Sequence, residues 1–195
     1  MQIDIVKILY LFFRLSPFIL VSYFTLSSVF NQDLKGLMYL SGLLITCLVA
    51  TLIGTHFLDD DDSLQPKAQC AVTYLGVSNT PISKSIPLGS VTLFYTFWYC
   101  FYIILEYNLW NVNISFLITL PLLIIGDAYW QFYNGCAGLM NIAYALIIGF
   151  TGGFMWALFI DAFKMTDLTM FNGISGKQVC DRPSRTKYRC RIVKK

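Results

Sequence analysis

The residues best suited to acid–base or metal chemistry lie close together near position 60. His56, the single histidine of the chain, comes shortly before a run of four aspartates at 59–62. A neutral imidazole beside carboxylates can bind a cation, but consecutive aspartates do not provide the spaced ligands of a calcium loop. The pattern therefore predicts an interfacial histidine next to a solvated acidic turn, and no metal site.

Two further segments share parts of the signatures of intramembrane proteases. Residues 173–176 read Gly-Ile-Ser-Gly, the GxSG of the serine class, but they lie in a polar tail and no histidine follows them. Asp127 follows Gly126, as in the aspartyl class, yet the paired Tyr-Asp is missing. The sequence also contains no phosphate-binding loop or dinucleotide fingerprint. We therefore expect no catalytic residues and no cofactor, and predict that the protein is not an enzyme.

Composition places the chain in the membrane class. Of its 195 residues, 56% are hydrophobic and 13% are charged, whereas soluble domains have about 45–50% apolar and about 25% charged residues. A helix needs roughly 20 apolar residues to cross the hydrocarbon core. The sequence predicts an all-α, polytopic body over 1–162, with five spans at 8–30, 37–54, 91–107, 112–130 and 139–160. Whether 8–30 crosses completely stays open, because Arg14 and Pro17 interrupt it.

Basic residues are concentrated at the carboxyl end. Eight of the fourteen Lys and Arg residues fall in 177–195, within a soluble tail predicted over 163–195. Positive residues near span ends stay on the cytoplasmic side, so the tail is expected to be cytoplasmic. Five spans then put the long connection 55–90 on the opposite face. The sequon at Asn113 would lie on the cytoplasmic side and remain unglycosylated.

The six cysteines do not form a CxxC motif. Cys47, Cys100 and Cys136 lie in or beside apolar spans, where the expected role is that of a small buried hydrophobe. Cys180 and Cys190 flank a short segment of the tail. Whether a disulfide closes a hairpin-like loop there stays open.

Small residues form a row in two of the predicted spans. In the fifth span, positions four apart are Ala145, Gly149, Gly153 and Ala157. The second span has a matching row of Gly42, Thr46, Ala50 and Gly54. Such rows let helix backbones approach closely in a membrane. We predict that both are helix-packing faces, most simply packed against each other; the alternative is that apolar composition alone produces them.

Four charged residues stand near predicted span ends, namely Arg14, Glu106, Asp127 and Asp161. Charged side chains at such positions can extend to the headgroups, so all four are expected at the membrane surface. The alternative is a specific intramembrane pair, such as Arg14 with Asp127, because charges inside a membrane normally face the bundle interior.

Basic and apolar residues alternate over 187–193 of the tail. This period of two predicts a half-buried β-strand with one basic face. Anionic headgroups, nucleic acid phosphates or a protein with an open sheet edge would suit such a strand, and only the last would use both the alternation and the charge. A disordered positive flank is the alternative. The predicted partner-binding residues are Arg182, Arg185, Lys187, Tyr188, Arg189 and Arg191.

Two segments carry a resemblance to a group of viral proteins. Residues 30–40 read Phe-Asn-Gln-Asp-Leu-Lys-Gly-Leu-Met-Tyr-Leu and follow a first span that contains Ser16 and Pro17. This run resembles uncharacterised multi-span membrane proteins of nucleocytoplasmic large DNA viruses, and the tail over 180–193 is similar in style to theirs.

The resemblance implies a structural protein of the virion inner membrane, made in membranes of the host endoplasmic reticulum. Its tail would face the capsid and bind minor or major capsid proteins, many of which are jelly rolls with sheet edges. The alternative function is a small channel, transporter or fusion-accessory protein that uses Arg14, Glu106 or Asp127. A membrane-embedded enzyme comes third.

Overall fold

The computed structural model describes residues 5–57, 86–165, 168–169, 177–181 and 189–193. Five helices account for most of them: α1 Ile5–Asn31, α2 Lys35–Phe57, α3 Leu88–Glu106, α4 Trp110–Tyr133 and α5 Leu139–Ala162. Each helix is long and apolar enough to cross a membrane. The prediction of an all-α body with five spans is therefore confirmed, and the protein is a multi-pass membrane protein.

The first span is one helix, although Pro17 lies inside it. A proline cannot donate to the carbonyl oxygen four residues earlier, which here belongs to Phe13. The Ser16 hydroxyl donates to that oxygen instead, at 2.7 Å. Because backbone groups freed by proline must be satisfied inside a membrane, Ser16 allows α1 to continue past Pro17.

The bundle is built around α3, which is the most deeply buried span. Helices α3 and α5 run parallel, since Gly149 lies against Val91 and Asp161 accepts a hydrogen bond from Tyr107. Helix α4 runs the other way, because Ser90 at the start of α3 contacts Asp127 near the end of α4. We call the end with the 134–138 turn the Cys136 end, and the end where α3 and α5 finish the tail end.

Tyrosines form the centre of the bundle. Tyr39 of α2 packs against Tyr95 and Tyr99 of α3, and the three side chains are fully buried. The Tyr39 hydroxyl lies 2.6 Å from the Thr96 hydroxyl, which itself donates to the Thr92 carbonyl, so Tyr39 is the donor. Tyr95 donates to the Tyr39 carbonyl at 3.2 Å. Such hydrogen bonds stabilise the packing of helices in a membrane, where the hydrophobic effect does not drive helices together because lipid tails are also apolar.

The tail contains two short strands, β1 Lys177–Asp181 and β2 Arg189–Val193. They pair antiparallel, with Cys180 opposite Cys190 and Asp181 opposite Arg189. The strand β2 lies within the segment 187–193 that the alternation marks as a strand. Its pairing with β1 gives the tail a hairpin.

Candidate functional site

Three buried polar side chains meet at the Cys136 end. Ser90 of α3 donates to Asp127 Oδ2 of α4 at 2.8 Å. Gln131 Nε2, one turn further along α4, donates to Ser90 Oγ at 2.6 Å and to Asp127 Oδ2 at 2.5 Å. Each of the three residues is at most 3% exposed. Together with Arg14, described next, they form what we call the polar cluster.

Arg14 brings α1 into the polar cluster. Its side chain is buried and interacts electrostatically with Asp127. The Phe13 ring next to it lies against Gly126, the residue before Asp127, where a side chain would keep the two helices apart. The expectation that Arg14 and Asp127 extend to the headgroups is therefore wrong. Two opposite charges with hydrogen-bonding neighbours are less costly to bury together than either charge alone.

The polar cluster joins three helices, with Arg14 on α1, Ser90 on α3 and both Asp127 and Gln131 on α4. Polar contacts between membrane helices fix their relative positions. Asp127 and Gln131 are four residues apart, and this spacing predicts from the sequence that they lie on the same helix face. Nothing in the sequence marks Ser90, whose role depends on how α3 packs against α4.

The other two charged residues lie at the tail end. Glu106 is exposed. The Tyr107 hydroxyl donates to Asp161 Oδ1 at 2.9 Å, and the Tyr102 hydroxyl lies 3.5 Å from Asp161 Oδ2. Burial, followed by the hydrogen bond to Asp161, raises the pKa of Tyr107. Tyr107 therefore keeps its proton at neutral pH and links the end of α3 to the end of α5.

The small row of α5 packs against α3, and the prediction that it packs against the row of α2 is wrong. Ala145, Gly149, Gly153 and Ala157 are all buried. A methyl group added at Gly149 would lie 3.0 Å from the Tyr95 backbone nitrogen and from the Val91 carbonyl oxygen. Because the Gly149 and Gly153 positions face backbone atoms of α3, the row brings these two helices into their closest contact.

The small row of α2, Gly42, Thr46, Ala50 and Gly54, is buried as well. Gly42 lies against Tyr95 and Trp156, and Thr46 lies against Gly152. Helix α2 therefore meets α5 beside the α5 row rather than on it. An apolar groove of about 630 Å³ remains between the two helices. Apolar lining suits contact with acyl chains and provides no groups for chemistry.

Several predicted site residues belong to the tail or to the connection between α2 and α3. Arg189 and Arg191 lie in β2. Arg182, Arg185, Lys187 and Tyr188 lie outside the described residues, as do the aspartates at 59–62 and the Gly-Ile-Ser-Gly segment at 173–176. His56 is exposed in the last turn of α2. Among the described residues, no group of histidine, cysteine or acidic side chains could hold a metal ion.

The cysteines of the helical body differ from one another. Cys47 and Cys100 are free thiols inside α2 and α3. Cys136 is buried, as predicted, but it is disulfide-bonded and so is more than a small buried hydrophobe. The physical reason is its position, since it lies in the 134–138 turn between α4 and α5 rather than inside a span.

Comparison with known proteins gave no relatives. No family model, no curated protein and no solved structure matches this chain.

Proposed function

We propose that this protein is a non-enzymatic membrane anchor that holds a soluble protein layer against its bilayer through the basic hairpin at its carboxyl end. The observation that carries the proposal is the pairing of β1 with β2 beyond a body of five spans. A two-stranded hairpin is only marginally stable alone. Its sheet also has two outer edges whose backbone groups can accept another strand.

The composition of the hairpin supports a partner with an acidic sheet edge. Lys177, Arg189 and Arg191 lie in its strands, and Asp181 is the single acidic residue among them. Charge complementarity speeds association and selects partners, whereas backbone pairing holds an added strand in register. A partner that adds a strand uses both features, which headgroups or nucleic acid would not.

The resemblance to inner-membrane proteins of large DNA viruses supports a specific setting. We propose that the bilayer is the virion inner membrane, derived from the endoplasmic reticulum, and that the soluble layer is the capsid. Jelly-roll capsid proteins, minor or major, would supply the sheet edge that accepts the hairpin.

Co-flotation of full-length protein in neutral liposomes with the purified major capsid protein of the same virus tests this proposal. The intact protein should carry the capsid protein to the top of a density gradient, and deletion of 177–195 should abolish this. Co-flotation of the deletion variant at the intact level would overturn the proposal.

Proline substitution separates strand addition from simple charge attraction. Successive N–H groups of a strand point to opposite sides, so either Ile192→Pro or Val193→Pro removes a donor from the outer edge of β2 and keeps every charge. We expect one of the two to abolish co-flotation, whereas the control variants Ile192→Val and Val193→Ile retain it. Full binding by both proline variants, with loss on Arg189→Gln and Arg191→Gln, would instead indicate electrostatic binding.

The polar cluster supports a second candidate, a transport or ion pathway. Charged side chains inside membranes often mark such pathways, and Arg14 and Asp127 are buried within spans. Ion flux through liposomes that contain the protein tests this candidate. A flux that Asp127→Asn abolishes would favour it over the anchor.

A further inference from the structure

Cys136 is disulfide-bonded, and three other cysteines of the chain could be its partner. The chain has six cysteines, and Cys47 and Cys100 are free. The partner of Cys136 is therefore Cys70, Cys180 or Cys190. The order of the helices decides among them.

The two ends of the bundle carry different parts of the chain. Cys136 precedes α5, which runs parallel to α3 with Gly149 against Val91 of the first α3 turn, so Cys136 lies at the end where α3 begins. The segment 58–87, which contains Cys70, joins α2 to that same turn of α3. The residues after α5 leave from the tail end, where Asp161 bonds Tyr107. Because α5 is long enough to cross a membrane, the bilayer separates Cys136 from the start of the tail.

We infer that Cys136 is joined to Cys70, and that this disulfide marks the Cys136 end as the extracytoplasmic face. Disulfides persist in oxidising compartments such as the endoplasmic reticulum lumen and are rare in the cytosol. The two thiols lose two protons and two electrons to the disulfide of a lumenal thiol–disulfide oxidoreductase, which leaves as its dithiol. The bond ties the connection between α2 and α3 to the 134–138 turn.

The charges at the two ends agree with this orientation and are independent of the disulfide. Lys35, at the start of α2, and Lys164, after α5, lie at the tail end, and the eight basic residues of 177–195 follow α5 in the sequence. The other four Lys and Arg residues, at positions 7, 14, 67 and 84, belong to segments at the Cys136 end. Positive residues near span ends remain in the cytosol. The hairpin, in which Cys180 lies opposite Cys190 in register, is then in the cytosol, where disulfides are rare.

The pairing can be tested on the full-length chain translated into sealed microsomes. Proteolysis without reduction, followed by mass spectrometry, should give one species that joins the peptides of Cys70 and Cys136, and reduction should separate them. Cys70→Ser should make Cys136 reactive to maleimide in permeabilised microsomes, whereas Cys180→Ser should not. A peptide that joins Cys136 to Cys180 or Cys190 would overturn the pairing.

Thiol labelling from outside the sealed microsomes tests the orientation. A membrane-impermeant maleimide with an impermeant reductant should modify Cys180 and Cys190, and should reach Cys70 and Cys136 only after permeabilisation. The Cys70→Ser/Cys136→Ser variant serves as the control, since it should lose only the second set of sites. Labelling of Cys136 in sealed microsomes would overturn the orientation. Neither outcome depends on the partner of the hairpin, so a failed capsid-binding test would leave this inference unaffected.

Discussion

Arg14 of α1 and Asp127 of α4 are both buried inside the membrane body and interact electrostatically, and Asp127 accepts hydrogen bonds there from Ser90 and Gln131. Removal of one partner of such a pair leaves an uncompensated buried charge and costs about 3–5 kcal/mol, whereas apolar replacement of both is often neutral. If the pair has a structural role, the single variant should therefore be less stable than the double variant. A transport role would instead appear as an ion flux that is lost when the pair is replaced.

For a structural role, we expect Asp127→Asn to lower the free energy of unfolding by about 3 kcal/mol, because Arg14 stays charged and buried. The double variant Arg14→Met/Asp127→Leu should recover most of this loss. Urea unfolding in detergent micelles, followed by circular dichroism, measures both, and exposed Glu106→Gln is the control that should change little. Native stability of Asp127→Asn would contradict the structural role. A stable double variant that has lost an ion flux present in the native protein would favour the transport pathway.

The number and type of the helices could be predicted from the sequence, because span length and apolar composition alone decide them. The helix faces that contact one another could not be predicted in this way. The row with Gly149 and Gly153 fits any close helix backbone, and it packs against α3 because α3 occupies the centre of the bundle. Ser90 has no sequence signal either, since its partner Asp127 lies on another helix.

The surroundings of the charged residues and of the cysteines also could not be predicted from the sequence, because they depend on which helices pack together. Arg14 and Asp127 are near span ends, a position that fits both exposure at the membrane surface and pairing inside the bundle. Only the packing of α1 against α4 decides between these two interpretations. The disulfide of Cys136 had one weak signal, namely the position of this cysteine between two spans. The β2 strand was predictable because alternation is a local property of the chain.

Gly153 tests the contact between α3 and α5. Alanine favours a helix over glycine by about 1 kcal/mol, but a methyl group at Gly153 would meet the Tyr95 carbonyl oxygen and lie 3.0 Å from the Tyr99 backbone nitrogen. Overpacking of this kind costs about 1–3 kcal/mol, so Gly153→Ala should lower the unfolding temperature in detergent. Thr151→Ala, on the exposed side of the same helix, is the control and should have little effect. A higher unfolding temperature for Gly153→Ala would contradict the close α3–α5 contact.

The hydrogen bond between Tyr107 and Asp161 connects the ends of α3 and α5 next to the tail. Tyr107→Phe removes a 2.9 Å bond and should cost about 1.5 kcal/mol, since the acceptor is a carboxylate. Tyr102→Phe removes only a 3.5 Å contact to the same carboxylate and should cost less. Thermal unfolding of the two variants in detergent gives the comparison, and a larger loss for Tyr102→Phe would reverse the roles assigned to the two tyrosines.

Glycosylation mapping examines the orientation of the body without the use of cysteines. The sequon at Asn113 lies in the first turn of α4, at the tail end, so it should carry no glycan if that end is cytosolic. Pro81→Thr creates a sequon at Asn79, in the connection that joins α2 to the Cys136 end of α3. Translation into microsomes should then give an endoglycosidase-sensitive increase in mass for Pro81→Thr and none for the native chain. Asn79→Gln in the Pro81→Thr background is the control that should remove the glycan. A glycan on native Asn113 would place the tail in the lumen, where it could not reach a cytosolic capsid protein.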